Sequence, residues 1–128
     1  MGQKVEIHEF SLDIYPRKIW VCVTNNPDCI KDKFYDETKN GEFVFDKADL
    51  YEAMAMPSIK KDGNYKGVMI MFLSKKYMTP KNIVHESIHA GKMIFEGIGA
   101  DIRPHEPFEY LCGWIADKIW QVKTNNLN

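Results

Sequence analysis

The segment Val84 to Gly91 reads V-H-E-S-I-H-A-G and contains the residue types of a metal-dependent hydrolase. His85 and His89 are four positions apart, so on a helix they lie one turn apart on the same face. Two neutral imidazoles in this arrangement can bind one metal ion, and H-E-x-x-H segments typically hold zinc. Glu86 would lie beside that face, where it can take a proton from a water molecule at the metal. The spacing predicts one zinc ion bound by His85 and His89, with Glu86 as the catalytic residue.

Signals around the motif predict the helix that carries it. Thr79 is a suitable N-cap and Pro80 a suitable first helical residue, and the helix is expected from Lys81 to Glu96, ending near Gly97 or Gly99. Before it, the apolar run Gly67–Leu73 predicts a buried or central strand. The turn residues Asp62-Gly63-Asn64 join that run to Ser58–Lys60 as a hairpin.

The remaining segments predict further strands and a second helix. Lys18–Thr24 and Glu42–Phe45 favour strands, Ile30–Tyr35 favours a short helix, and Asp46–Met56 is compatible with a helix or a strand. A C-terminal helix is expected from Pro107 to Val122, with a core-facing stripe of Phe108, Leu111, Cys112, Ile115, Ile119 and Val122. The predicted fold class is α+β: a small, mostly antiparallel sheet, then the H-E-x-x-H helix and a second helix, in a single domain over residues 1–128.

Length, charge and cysteine content limit the classes of protein to consider. The 128 residues suffice for one modest core, and the net charge of -1 gives no indication of a nucleic-acid partner. No apolar run is long enough to cross a membrane. Cys22, Cys29 and Cys112 are an odd number without a C-x-x-C pair, which favours reduced thiols. These observations predict a cytoplasmic protein with no membrane partner.

A catalytic zinc usually has three protein ligands, so a third must come from another part of the chain. The metzincin pattern, H-E-x-x-H-x-x-G-x-x-H, fails because Phe95 stands where its third histidine would be. The other source is the start of the following helix, R-P-H-E-P-F-E-Y, which supplies Glu106, Glu109 and His105. Pro107 at a first helical position would instead make Glu106 a helix-capping carboxylate, which is the alternative interpretation.

H-E-S-I-H followed by H-E-P-F-E-Y resembles the gluzincin arrangement, in which a second helix carries an Asn-Glu motif whose glutamate is the third zinc ligand. The resemblance places Glu106 on that glutamate and His105 on the asparagine. The chain also resembles small zincin-like proteins of bacteriophages and prophages, through I-Y-P-R-K-I-W-V (Ile14 to Val21) and E-P-F-E-Y-L-C-G-W-I (Glu106 to Ile115). The resemblance implies a minimal zincin-like fold, with host-cell cytoplasm as the location of a phage-encoded member.

The sequence departs from the gluzincin pattern beside the third ligand. Tyr110 stands four residues after Glu106, where an acidic residue is expected, and Glu109 is either its substitute or itself the ligand. Asp101 and Asp117 are further residues that could orient a ligand histidine. An oxyanion donor is also needed, and the candidates for it are His105, Tyr110, Arg103 and Tyr77.

The leading hypothesis is a zinc-dependent metallopeptidase that hydrolyses a peptide or protein substrate. Zincins commonly bind substrate along a strand edge, so Gly67–Leu73 or its hairpin is expected to present that edge. The alternative is a catalytically inactive, zinc-stabilised interaction module of phage or prophage origin, in which the metal contributes folding energy. A third hypothesis is that no metal binds and the two histidines pair with Glu86, Glu96 or Asp101.

Overall fold

Six strands and three α-helices make up the parts of the chain described by the computed structural model, which are residues 6–12, 14–38, 41–43, 52–103 and 105–125. The strands are β1 (Glu6–Ser11), β2 (Lys18–Val23), β3 (Phe34–Asp36), β4 (Gly41–Glu42), β5 (Ala53–Lys60) and β6 (Lys66–Phe72). The helices are α1 (Pro27–Lys33), α2 (Pro80–Ile98) and α3 (His105–Thr124), with a 3-10 turn at Lys75–Tyr77. The predicted α+β class with a mostly antiparallel sheet is confirmed.

The six strands form one sheet in the order β1-β2-β6-β5-β3-β4. Only β2 and β6 are parallel neighbours; the other described pairs are antiparallel. Gly67 lies where β6 passes β2, and a Cβ at this position would collide with the Lys18 carbonyl. The apolar run is therefore a central strand, as predicted, with a hydrogen-bonded neighbour on each side.

The predicted hairpin is formed by β5 and β6. Ser58 pairs with Gly67, and the turn between the strands places Gly63 at φ 88° and Asn64 at φ 57°. Glycine and asparagine are the residues that tolerate this left-handed region best. The segment Asp46–Met56, whose sequence is compatible with a helix or a strand, is a strand from Ala53 onward. Residues 46–51 lie outside the described part.

Two other predictions differ from the structure in their boundaries. The short helix is Pro27–Lys33, because the Asn26 side chain accepts a hydrogen bond from the Asp28 amide and Pro27 occupies the first turn. Phe34 and Tyr35 belong instead to β3. Strand β4 covers only Gly41–Glu42, and residues 44–45 of its predicted range lie outside the described part.

The strands alternate their side chains between two apolar layers. On one face, residues such as Val21, Ile70 and Phe72 pack against α2 and α3. On the other, Trp20 and Met69 pack with residues that include Ile30 of α1. Thus α2 lies on one face of the central strands, with β5 close to it.

Helix α2 begins and ends at the predicted residues. Thr79 Oγ1 accepts a hydrogen bond from the Asn82 amide at 3.2 Å, and Gly99 closes the helix at φ 73°. Arg17 Nη2 donates to the Gly97 carbonyl at 2.8 Å, which ties the end of α2 to the β1–β2 loop. None of the described helices is both long and apolar enough to span a bilayer.

Helix α3 begins at His105 rather than near Pro107. Proline is tolerated in the first turn because the amide it lacks would have no intrahelical partner there. Glu106 therefore lies inside the first turn, and the alternative interpretation that it is the helix-capping residue is wrong. A carboxylate in the first turn still suits the helix dipole.

Candidate metal centre

The two histidines of the motif converge on α2. His85 Nε2 and His89 Nε2 lie 3.1 Å apart, with ring centroids 4.6 Å apart and rings inclined at 75°. Two nitrogen ligands at ~2.1 Å from one tetrahedral zinc ion would lie roughly 3.4 Å from each other. Both rings are exposed, so the pair is accessible and fits two ligand positions of a zinc ion.

Glu86 occupies the inner flank of the same turn. Its side chain is only 6% exposed, whereas His85 and His89 on either side of it in the sequence are exposed. Burial raises the pKa of the Glu86 carboxyl, and the neighbouring His85 and His89 oppose that rise. No described residue donates a hydrogen bond to this carboxylate, which leaves it available as an acceptor for a water proton.

A cavity of about 310 Å³ lies in front of these three side chains. Its other walls are Met93, one turn beyond His89, and the β5 residues Ala53, Met54 and Ala55. Ala53 and Ala55 lie on the α2 face of the sheet, whereas Met54 packs on the opposite face. Two small side chains facing the helix leave open space between β5 and the motif.

The β5 strand offers part of its edge beside this cavity. It pairs with β6 along Ala53–Ile59, but with β3 only at Ser58, Ile59 and Lys60. In the described part of the chain, the second edge of Ala53–Met56 therefore has no strand neighbour. Strand β6 is paired on both sides, so of the two strands in the predicted hairpin only β5 has an unpaired edge in the described part. Its use by a substrate stays a prediction.

Helix α3 packs on the other flank of α2. A Cβ at Gly91 would lie 2.8 Å from Cys112 Sγ and 3.1 Å from a ring carbon of Phe108, so the helices approach closely there. At 100° per residue, Gly91 is roughly 120–160° around the helix from His85 and His89. The start of α3 thus approaches α2 away from the histidine pair.

The third ligand predicted from the sequence does not join the pair in this structure. Glu106 is exposed in the first turn of α3. Among the described residues, no group of three or more His, Cys, Asp or Glu side chains is arranged to hold a metal ion. The fit to zinc is therefore limited to His85 and His89, and Glu106 as third ligand stays a prediction.

The other predicted site residues have partners elsewhere. Glu109 and His105 line a separate cavity with Val84 and Ile88, and Tyr110 is exposed beside Leu12 and Ile14. Arg103 binds Asp101 at 2.7 Å, which holds the pKa of that carboxyl below its usual value. Asp117 accepts a hydrogen bond from Gln121 at 3.4 Å, and the Tyr77 carbonyl accepts one from Asn82 at 2.8 Å.

The sequence analysis did not predict Met93 and the two alanines of β5, Ala53 and Ala55, as site residues. Met93 could have been found from its spacing, because it continues the series His85, His89 at four-residue intervals. Ala53 and Ala55 gave no such signal, since their segment was compatible with either a helix or a strand.

The chain matches no protein-family model, no curated protein and no solved structure.

Proposed function

We propose that this protein is a small zinc-dependent metallopeptidase with a zincin-like fold. The observation that carries the proposal is the convergence of His85 Nε2 and His89 Nε2 at 3.1 Å beside the buried Glu86. Two imidazoles one turn apart on a helix can converge without a buried carboxylate beside them. The burial of Glu86 next to the pair therefore indicates a separate role for it. The role that fits its position is that of general base.

The chain's own residues would divide the work as follows. His85 and His89 hold the zinc, which when bound supplies Lewis acidity toward the water and the substrate carbonyl. Glu86 accepts a proton from the attacking water as its oxygen bonds to the peptide carbon. The C–N bond then breaks, and Glu86 returns the proton to the departing amine nitrogen. Glu106 remains the proposed third ligand on the resemblance to gluzincins, with Glu109 as the alternative.

The substrate proposed for this site is an extended peptide. The edge of Ala53–Met56 lies beside the cavity that contains Glu86, and an extended chain added to that edge would place successive carbonyls past the histidine pair. The small side chains of Ala53 and Ala55 leave space for the peptide between β5 and α2.

Substitution of Glu86 by Gln tests the proposal. The zinc-loaded protein is incubated with a library of quenched fluorescent peptides, and cleavage is compared with that by Glu86→Gln. We expect Glu86→Gln to retain zinc and to lose about 100-fold or more in kcat, because the amide cannot take the proton. Glu96→Gln, at an exposed position of the same helix, is the matched control and should cleave like the wild type. Cleavage by Glu86→Gln at the wild-type rate would show that Glu86 is not the base.

A second candidate is supported by the cavity at the motif, because its described walls come only from α2 and β5 and no second subdomain faces them. It is a catalytically inactive, zinc-stabilised interaction module of phage or prophage origin, in which the metal contributes folding energy. The same experiment separates the two: zinc bound by a wild-type protein that cleaves no peptide in the library would favour the module.

A further inference from the structure

A pocket rich in cations lies at one end of the sheet, where β1 ends and β2 and β6 begin. It has a volume of about 300 Å³, and its lining includes Ser11, Tyr15, Arg17, Lys18, Tyr65 and Lys66. We call it the strand-end pocket. The candidate metal centre adjoins Ala53, whose partner Phe72 is at the opposite end of β6, roughly 20 Å away along the strand. The residues of the strand-end pocket take no part in the proposed metal site.

The register of the parallel strands places two of the cations side by side. Lys18 of β2 is the partner of Gly67 on β6. The residues immediately before them, Arg17 and Lys66, are therefore neighbours on the same face of the sheet, because side chains alternate along both strands. Like charges on adjacent strands destabilise a sheet. An anion bound between the two side chains would relieve this repulsion.

One carboxylate, that of Glu9, compensates two lysines beside the pocket. Lys18 Nζ donates a hydrogen bond to Glu9 Oε2 at 3.1 Å, and Lys60 Nζ donates one to Glu9 Oε1 at 3.0 Å. Both oxygens of this carboxylate are therefore engaged. A single negative charge faces two positive charges, which leaves an excess of positive charge at this end of the sheet.

The other cations of the strand-end pocket are compensated more weakly. Lys66 Nζ lies 3.9 Å from Glu37 Oε1, close to the limit for an ion pair, and the Lys66 side chain is 54% exposed. Arg17 donates to the carbonyl oxygens of Pro16 and Gly97, both at 2.8 Å, and none of the described carboxylates forms an ion pair with it. The last turn of α2, to which Gly97 belongs, supplies only a partial negative charge. The described residues thus leave a positive surplus here, in a chain whose net charge is -1.

Hydroxyl groups add uncharged donors to the pocket. Lys18 Nζ donates to Ser11 Oγ at 3.1 Å and lies 4.7 Å from the centre of the Tyr65 ring, so its ammonium group is held in place. The hydroxyls of Tyr15 and Tyr65 have no hydrogen-bond partner among the described residues. Tyr65 is 53% exposed, and no polar atom of the described partly buried side chains is enclosed without a partner, so both hydroxyls are accessible. Ammonium, guanidinium and hydroxyl donors together suit an oxyanion.

The size and the walls of the pocket favour a phosphate group carried by an organic molecule. A volume of about 300 Å³ is at the lower end of small-molecule sites and exceeds what a bare oxyanion would fill. Leu12, Pro16 and the ring of Tyr15 give the pocket apolar walls beside its cations. A phosphate monoester carries close to two negative charges at neutral pH, which matches several cations better than a carboxylate does.

We propose that the strand-end pocket binds a small phosphate monoester. The phosphate oxygens face Arg17, Lys18 and Lys66, and the organic part lies against the rings of Tyr15 and Tyr65. This binding is independent of zinc and of the proposed peptidase activity, so each can fail without the other.

Isothermal titration calorimetry of the full chain with phenyl phosphate tests the proposal, at about pH 7.5 and in about 50 mM salt. We expect one saturable site with a Kd below about 1 mM. Lys66→Gln should weaken binding at least about 10-fold, because a charge-assisted hydrogen bond is lost. Inorganic phosphate is the second probe and should bind more weakly than phenyl phosphate, because it makes no contact with the apolar walls.

Lys61→Gln is the matched control, because it removes the same charge from the β5–β6 turn, but Lys61 pairs with Glu42 at 2.9 Å and does not line the pocket. It should bind phenyl phosphate like the wild type. Tyr65→Phe removes only a hydroxyl and should weaken binding about 3-fold. Circular dichroism checks that each variant is folded.

Three results would overturn the proposal. The first is the absence of saturable binding up to about 20 mM phenyl phosphate. The second is an equal loss of affinity in Lys66→Gln and Lys61→Gln, which would indicate attraction to the overall charge rather than to the pocket. The third is inorganic phosphate bound as tightly as phenyl phosphate, because the organic part would then have no place in the site.

Discussion

Glu86 and Glu96 show that the position of a glutamate on a helix determines whether its carboxylate is buried or exposed. Both belong to α2, but Glu96 is exposed, whereas Glu86 is buried against β5 beside His85 and His89. The sequence predicted that Glu86 lies beside the histidine face, because adjacent helical residues are rotated by about 100°. It could not predict the burial, because the wall opposite Glu86 is formed by Ala53 and Ala55, whose segment had no clear pattern.

Glu9 provides a pH-dependent prediction. A hydrogen bond from Trp20 Nε1, at 2.8 Å, is the main cause that lowers the Glu9 pKa from its usual 4.5 to about 2, and Lys60 and Lys18 act in the same direction. Because the folded-state pKa is lowered, the stabilisation is complete above pH 4.5 and is lost as the pH falls toward about 2. We expect Glu9→Gln to lower the free energy of unfolding by about 1 kcal/mol near pH 6, a value reduced for solvent screening of a partly exposed group.

Urea unfolding measures this effect. The difference between Glu9→Gln and the wild type should shrink clearly at about pH 3, because the wild type then loses part of the same stabilisation. Glu42→Gln is the control, since Glu42 makes an exposed pair with Lys61 at 2.9 Å and should change stability little. A Glu9→Gln difference that stays the same between the two pH values would contradict this assignment.

Among the elements, those with local signals were predicted best. The start of α2 depends on Thr79 and Pro80, and its end on Gly99, so three residues determine its bounds without tertiary information. Strand β1 was missed because E-I-H-E-F-S has charged residues within it and becomes a strand through pairing with β2, which is a nonlocal interaction. The flank on which α3 packs is also nonlocal. This explains why the sequence placed Glu106 near the histidines and the structure does not.

The close approach of α2 and α3 leads to a prediction about the stability of two glycine variants. Alanine at Gly91 would press on Cys112 Sγ and Phe108, while alanine at Gly113 meets open space. Both changes gain similar helix propensity, so their difference isolates the packing. We expect Gly91→Ala to be about 1–3 kcal/mol less stable than Gly113→Ala. Thermal unfolding of the two variants and the wild type measures this, and equal stability would show that the helices can move apart without cost.

At the scale of the whole molecule, the site depends on the order of the strands. The chain leaves β2, forms β3 to β5, and returns with β6 parallel to β2, so β5 is placed beyond the central strand. This order brings the edge of Ala53–Met56 beside α2 and its motif. The sequence predicted the hairpin and the helix, but parallel pairing of β2 with β6 has no local signal, so the position of the edge could not be foreseen.

Metal content also tests the proposal that Glu106 or Glu109 is the third zinc ligand. Zinc is measured in proteins purified without metal-affinity resin, for Glu106→Gln and Glu109→Gln beside the wild type. Since a catalytic zinc usually has three protein ligands, loss of a ligand carboxylate should weaken zinc binding by about 10-fold or more. The variant that loses zinc contains the replaced ligand.

The central claim is that His85 and His89 bind zinc, and the direct test is the zinc content of His85→Ala and His89→Ala. We expect about one zinc per wild-type chain, less than about a tenth of that in either variant, and full occupancy in His8→Ala, because His8 pairs with Glu6 on β1 at 3.1 Å. Less than about half an equivalent of zinc in the wild type, with thermal stability unchanged by a chelator, would contradict the claim.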